Sequence, residues 1–402
     1  MSLLGGSAGR LVISLAYFVA VANALSIGDF GLFATASAVG VVLSRITAFG
    51  FVSPLYRIAT VKRRLLGTYT VGLLAGAVLS APVVTAAAWL AWVLLFRESM
   101  ASATFAMIVV AEIVFWRGFE IVIIVLNGLN RFARAAVLLV IGTALRAAAA
   151  VVFAVAGSGE LGQWALFYLA ANGACLLVAL TAFYPRIQLR WRPRLYLRRW
   201  IDAVSVASAE VLFYLQSELD KMLVLAIGGP VTAGLYAMIM RLVDLTALPV
   251  RAAFTLLVQR LMRAPGIIAK TKSRIGIEAA VVAVSTAGIA AMAGFLWLFP
   301  QALGDNVAEA APLLALVIAV PALRNLIEYH SELLYATGRT VTRTANLALL
   351  AVAKALLLTA VITIFVVPAG WATALNAAFV PLYALSALVT YRALSRPAAR
   401  PV

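Results

Sequence analysis

The 402 residues contain one cysteine and one histidine. Cys175 can close no internal disulfide, and no Cys or His spacing suits a metal. It sits in an apolar run and reads as a small core residue. There is no G-x-x-x-x-G-K-[ST] loop, so the chain has no means of hydrolysing ATP by itself. Charge is also scarce. Only 12% of residues are charged and 64% are hydrophobic, where a soluble domain carries about 25% and 45–50%. Acidic residues number 15 against 32 basic ones, a formal net charge of +17. In a soluble protein that balance would point to nucleic acid. Here the placement of the charge matters more than its total.

Apolar stretches of about 20 residues recur along the chain, which makes it a polytopic helical membrane protein. The pattern predicts twelve spans, near 8–26, 29–53, 66–95, 103–128, 135–156, 161–184, 201–227, 231–259, 275–299, 309–336, 345–367 and 371–394. Gly and Pro mark turns at Gly157-Ser158-Gly159, Gly228-Gly229-Pro230 and Pro368-Ala369-Gly370. Arg10, the apolar run Leu11–Val21 and Ala22-Asn23-Ala24 have the layout of a signal peptide, but the repeat described below needs this segment as a helix.

Connections alternate in charge. One set holds Arg10; Arg57, Lys62, Arg63 and Arg64; Arg131 and Arg134; Arg186, Arg190, Arg192, Arg194, Arg198 and Arg199; Arg260, Arg263, Lys270, Lys272 and Arg274; Arg339 and Arg343; Arg392, Arg396 and Arg400. The other holds Arg97 alone. The positive-inside rule then places both termini in the cytoplasm. The connections on the far side are short, with no room for a catalytic domain, so the expectation is a carrier and not an enzyme.

The arginine-rich stretch Pro185–Trp200 has no acidic residue and divides the chain. It reads as a cytoplasmic linker, 185–200, between a six-helix lobe at 1–184 and another at 201–402. Its arginines suit anionic lipid headgroups, and nucleic acid is not expected. The two lobes read as a repeat. Leu25-Ser26-Ile27-Gly28 matches Leu225-Ala226-Ile227-Gly228, and Gly31-Leu32-Phe33-Ala34 matches Gly234-Leu235-Tyr236-Ala237. At an offset of 208, Glu120 matches Glu328 and Arg146 matches Lys354. Six spans per half give a parallel repeat, as in alternating-access transporters, with a binding site expected between the halves near the midplane. A duplicated but immobile scaffold is the plainer reading.

Charges inside spans cost about 3 kcal/mol each on insertion scales and must avoid lipid. Four pairs have helical spacing: Arg117 with Glu120, Glu218 with Lys221, Arg241 with Asp244, and Arg324 with Glu328. Arg45, Arg146, Arg251 and Lys354 have no acid three or four residues away. Arg45 and Arg251 lie nearer the cytoplasmic ends and can snorkel. Arg146 and Lys354 lie about ten residues in, roughly 15 Å deep at the helical rise. They are the leading candidates for contact with an anion, the alternative being cross-helix pairs with Glu120 or Glu328. Spans 7 and 8 are the most polar, with Glu210, Gln216, Ser217, Glu218, Asp220, Lys221, Arg241, Asp244 and Arg251. A buried Asp220 or Glu218 suits a proton or Na⁺ site, or plain charge compensation. His330, beside Tyr329 and Glu332, reads as a packed histidine. Pro82, Pro249, Pro312, Pro321 and Pro381 mark expected kinks.

Arg10, then Asp29-Phe30-Gly31-Leu32-Phe33-Ala34, Gly50 and Arg57 resemble the entry motif of bacterial polysaccharide flippases. Asp220-Lys221 with Ala233-Gly234-Leu235-Tyr236-Ala237, and Ala336-Thr337-Gly338-Arg339, resemble the same family. The pattern is similar to the O-antigen (Wzx-type) members of the multidrug/oligosaccharidyl-lipid/polysaccharide (MOP) superfamily. The resemblance implies an all-α membrane protein of two pseudo-symmetric six-helix lobes in the bacterial inner membrane. It would flip a polyprenyl-pyrophosphate-linked oligosaccharide by alternating access, without a cofactor and driven by H⁺ or Na⁺. Assembly proteins such as a polysaccharide polymerase would be its partners, along with membrane lipids. Arg146, Lys354, Arg45, Arg251, Arg117 and Arg324 would meet the pyrophosphate. Glu120, Glu218, Asp220, Lys221, Asp244 and Glu328 would couple ions or balance charge. Lipid II flippases of the superfamily usually carry two more helices than this chain. A multidrug/cation antiporter is the main alternative, although that class favours an anionic first lobe. A membrane polymerase or glycosyltransferase would need a long outer loop.

Overall fold

A computed structural model describes residues 3–197, 200–251, 253, 254, 257 and 271–395. The expected basic residues Arg198, Arg199, Arg260, Arg263, Lys270, Arg396 and Arg400 lie outside the described residues, as does the side chain of Arg10. Among the described residues all regular structure is helical. The helices are α1 (Leu3–Ala24), α2 (Ile27–Ile46), α3 (Val52–Val61), α4 (Leu66–Leu95), α5 (Ser102–Val110), α6 (Arg117–Gly128), α7 (Phe132–Ala156) and α8 (Leu161–Val178). They continue with α9 (Pro193–Leu197), α10 (Trp200–Thr246), α11 (Thr271–Leu298), α12 (Asp305–Leu316), α13 (Val320–Ala336), α14 (Thr340–Ile364) and α15 (Pro368–Leu394). A wider π-helical turn, Ala111–Trp116, joins α5 to α6 without a break, and another, Ala179–Phe183, extends α8.

Among the described residues, eight helices, or nine counting the bent pair α12–α13, are long and apolar enough to cross a membrane. Expected spans 2, 3, 5, 6, 9, 11 and 12 each fall on one of these helices and span 10 on the bent pair, while the other four do not stand as separate helices of that kind. The passing stretch Val206–Thr246 is 41 residues long, about 60 Å at the helical rise, twice a 30 Å hydrocarbon core. It is broken at Gly229, with φ of 76°, followed by Pro230, so it supplies spans 7 and 8. α5–α6 covers span 4 but carries Glu112, Arg117 and Glu120. Among the described residues, the apolar stretch of α1 is Val12–Ala24. Span 10 differs from an unbroken helix, because α12 and α13 are bent by 74° and Pro321 starts α13. Span 2 also ends differently from expectation. After Ile46 the chain makes a left-handed turn, with φ of 56° at Ala48, 46° at Phe49 and 74° at Gly50.

The chain forms two compact units, Met1–Glu218 and Leu219–Val402. The arginine-rich stretch lies inside the first, and the division falls within α10. Tyr69 on α4 donates to the carbonyl of Leu195 at 3.2 Å. A Cβ on Gly67 would sit 2.0 Å from the Gln188 carbonyl oxygen, so that close approach requires glycine. In the first unit Trp164, fully buried, meets Phe33, Phe153 and Tyr168. Small residues let helices close up, as expected where lipid gives no hydrophobic drive to association. Gly142 on α7 lies under Phe119 on α6, where a Cβ would come within 2.3 Å. In the second unit Tyr236 packs on Trp371, and Phe254, Tyr329 and Leu333 form a further core.

One backbone feature recurs at the expected offset. α6 ends with Asn130 in the left-handed region and Arg131 N–H donating to Leu126 O at 2.8 Å; α13 ends with Gly338 likewise and Arg339 N–H donating to Leu334 O at 2.9 Å. Both are the same helix-ending motif, 208 residues apart.

Candidate functional site

The interior charges fall into clusters in each unit. In the first unit, Arg45 near the end of α2 grips Glu120 of α6 with both nitrogens, Nη1–Oε2 at 2.9 Å and Nη2–Oε1 at 3.4 Å. Arg117 donates to the same Glu120 at 3.1 Å and to Glu210 of α10 at 3.3 Å. The Arg45 guanidinium lies 3.9 Å from the Tyr214 ring centroid. Arg45 and Arg117 are buried, while Glu120 and Glu210 are partly open.

A second cluster lies deeper. Arg146 of α7 sits 3.8 Å from Glu112 and bonds the Tyr168 hydroxyl, which itself donates to Glu112. Ser37 donates to Glu112 at 2.6 Å, and the Trp116 ring lies 4.2 Å from the Arg146 guanidinium. α2 and the π turn approach so closely at Glu112 that a Cβ on Gly40 would fall 2.7 Å from Glu112 Cβ.

In the second unit, Lys354 of α14 is 3.1 Å from Asp220 of α10, and both side chains are nearly inaccessible. Tyr236 donates to the same oxygen of Asp220, Oδ2, at 2.8 Å. Asp244 accepts from Arg251 at 3.2 Å and from Arg324 at 3.4 Å, and Arg251 also reaches Glu328 at 3.1 Å. Lys221 follows Asp220 and caps its carboxylate through the backbone N–H. Glu218 is half-buried on the same helix. A further cluster closes around Glu278 of α11. It accepts from His330 at 3.1 Å, from Tyr383 at 2.8 Å and from Tyr391. Ser386 lies 3.2 Å from the other ring nitrogen of His330.

Several expectations are corrected. The four cations without a same-helix acid are not bare, since each has a carboxylate partner on another helix or further along its own. Arg146 pairs with Glu112 and Lys354 with Asp220, and not with Glu120 or Glu328. Arg324 turns to Asp244 and not to Glu328, and Asp244 is met by Arg324 and Arg251 where Arg241 was expected. Arg117–Glu120 keeps its predicted helical pairing. Helical spacing identifies neighbours along one helix, whereas a charge kept from lipid takes whichever opposite charge the bundle brings closest. His330 belongs with Glu278, not with Glu332, which pairs with Arg343 at 3.3 Å.

Tyr168, Tyr236 and Glu278 were missed. Tyr236 had a signal: it replaces Phe33 in the matched Gly-Leu-aromatic-Ala motif, and its added hydroxyl is the group that serves Asp220.

No protein-family model matches the chain, and no curated protein sequence matches it. Solved structures do. The chain is similar to the lipid II flippase MurJ in an inward closed conformation, with TM-score 0.64 and 13% identity over 98% of this chain and 88% of the other. It is similar to an inward-facing multidrug resistance MATE family transporter of the MOP superfamily, with TM-score 0.59 and 15% identity over 97% and 96%. A MOP superfamily transporter from Pyrococcus furiosus, described as having a binding pocket of reverse polarity, gives TM-score 0.57 and 16% identity over 98% and 94%. The fold is MATE/MurJ-like. At these identities the likeness concerns fold alone. Within that fold, the fifth expected span of each unit carries an interior cation, the partly buried Arg146 on α7 and the buried Lys354 on α14. The counter-carboxylate comes from a different helix in each, α5–α6 for Arg146 and α10 for Lys354.

Proposed function

We propose that this chain is a MOP-type transporter that moves a polyprenyl-pyrophosphate-linked oligosaccharide across a bacterial inner membrane. The cargo would be an O-antigen, capsule or exopolysaccharide repeat unit, and the termini would be cytoplasmic. The likeness to both a lipid-linked flippase and drug transporters supports the transporter class. One observation favours the anionic cargo. In the first unit the membrane-depth carboxylates Glu112, Glu120 and Glu210 each have an arginine partner, which leaves them poorly suited to a cationic drug. The chain does no covalent chemistry in this reading.

The paired charges suggest how transport and ions are linked. A pyrophosphate reaching Arg146, Arg45, Arg117, Lys354, Arg251 or Arg324 competes with the resident carboxylate. Glu120, Asp220, Asp244, Glu328 or Glu218, once released, takes up H⁺ or Na⁺. Buried charge exchange of this kind avoids leaving either partner alone, which would cost several kcal/mol. Alternating access would carry the cargo between leaflets, with polysaccharide-assembly proteins downstream.

A reconstituted flip assay tests the reading. Purified protein in liposomes with a fluorescent polyprenyl-pyrophosphate oligosaccharide should expose the label in the opposite leaflet, faster with a pH or Na⁺ gradient. Movement of a cationic dye with no movement of the lipid would favour the antiporter instead. Chemical change of the lipid would mark an enzyme.

A further inference from the structure

In the first unit α4 stands away from α5–α6 and α8, leaving a cavity of about 640 Å³. That lies within the range of pockets that enclose a sizeable organic ligand. Its walls are almost wholly aliphatic. The rim residues Leu74, Val110, Val114 and Leu180 are about half exposed, which is the character of a surface facing acyl chains. At the basic end the cavity is closed by Tyr184, hydrogen-bonded to Thr70 at 2.7 Å. The wall also carries the hydroxyls of Thr47, Thr70, Ser80 and Thr85, and its one charged residue is Arg117. It is 3% exposed, it lines the cavity, and its Nε–H has no acceptor. The buried hydroxyl of Thr47, also in the wall, has none either.

A hydrocarbon groove with hydrogen-bonding groups in its wall suits an amphiphile. The depth of Arg117 selects which kind. It begins α6, which runs 12 residues to Gly128, so it lies roughly 16 Å from the helix end at 1.5 Å per residue, close to the middle of a 30 Å core. A resident phospholipid keeps its phosphate at the membrane surface. Only an amphiphile whose head is itself in transit brings anionic oxygen to that depth.

We propose that this groove between α4, α5–α6 and α8 holds the isoprenoid chain of a polyprenyl phosphate or pyrophosphate cargo, with the first oxygens of its head at Arg117 and Thr47. This rests on the transport reading above and adds a chain-binding subsite that adjoins the first ion-paired cluster at Arg117.

Photo-crosslinking tests it on the intact protein in nanodiscs, without any transport step. The probe is a polyprenyl phosphate carrying a diazirine in its chain, and adducts are mapped by mass spectrometry. Label should fall on the wall segments 81–88 and 106–114. An excess of untagged polyprenyl phosphate should remove it, while phosphatidylglycerol should not. Ala81→Trp, which fills the groove, should lower labelling by about tenfold, equivalent to about 1.4 kcal/mol of affinity. Val78→Trp, on an exposed position outside the wall, should leave it unchanged. A thermal-unfolding curve confirms that each variant is folded. Equal labelling by a diazirine phospholipid would overturn the proposal, since the groove would then be a general lipid crevice. So would adducts confined to other surfaces, or full labelling of folded Ala81→Trp. If wild-type protein flips nothing yet labels as expected, the transport reading fails and the chain site stands.

Discussion

Lys354 Nζ and Asp220 Oδ2 lie 3.1 Å apart with side chains 4% and 3% exposed, which makes each the main solvent of the other. Removing the amine alone strands a carboxylate away from water, at a cost of about 3–5 kcal/mol, whereas removing both charges is far milder. Lys354→Met should therefore lower the thermal midpoint sharply in detergent, and Lys354→Met with Asp220→Asn should recover most of it. A double variant as unstable as the single would show that the pair does not balance itself.

Arg45–Glu120 and Arg251–Glu328 are similar ion pairs, with glutamates 208 residues apart and arginines 206. They differ in what surrounds them. Glu120 serves two buried arginines, Arg45 and Arg117, while Arg251 has a second acid in Asp244 and is 36% exposed. Glu120→Gln should accordingly destabilise more than Glu328→Gln, whose effect water and Asp244 soften. A double-mutant cycle on Arg45 and Glu120 should give a coupling of about 1–3 kcal/mol, against a smaller value for Arg251 and Glu328. The order is read by thermal unfolding of the two single variants side by side.

The fold class was legible because a membrane imposes length, apolarity and charge asymmetry on each span separately. The offset of 208 that relates Glu120 to Glu328 and Arg146 to Lys354 also relates the helix ends at Leu126 and Leu334. What stayed hidden was pairing between helices. Asp220 and Lys354 are 134 residues apart, and no periodicity links α10 to α14. The breaks were half visible. Gly229-Pro230 announces itself, but nothing in Ile46-Thr47-Ala48-Phe49 spells a left-handed turn, because that turn is held by contacts from α4 and α10.

His330 is wholly buried between Glu278 and Ser386. Its role in holding α11, α13 and α15 together depends on a donor toward Glu278, whose carboxylate is partly buried, and losing a partner there costs up to about 1–3 kcal/mol. His330→Gln retains a donor and should stay close to wild type, while His330→Leu should lose that much and loosen α11. Hydrogen exchange at the start of α11 reports it. Equal protection in both variants would leave the histidine as a space-filler.

The turn after α2 stores strain that can be released by substitution. Ala48 and Phe49 carry side chains in the left-handed region, which costs about 1–2 kcal/mol per residue. The turn persists because Ser80 accepts the Ala48 N–H at 2.9 Å, and because Gly50 sits where a Cβ would be 2.4 Å from Ala207 and 2.5 Å from the Ala203 carbonyl oxygen. Phe49→Gly should relieve strain and raise stability by about 1 kcal/mol, less whatever contact the ring gives up. Gly50→Ala meets both the strained φ and the clash, so it should destabilise by more than Phe49→Gly gains. Ser80→Ala should cost about 1–3 kcal/mol by leaving a buried N–H unmet. If the strain serves transport, relieving it with Phe49→Gly should slow flipping even as the protein becomes harder to unfold. Unchanged flipping would make the turn a packing feature of α2, α4 and α10 alone.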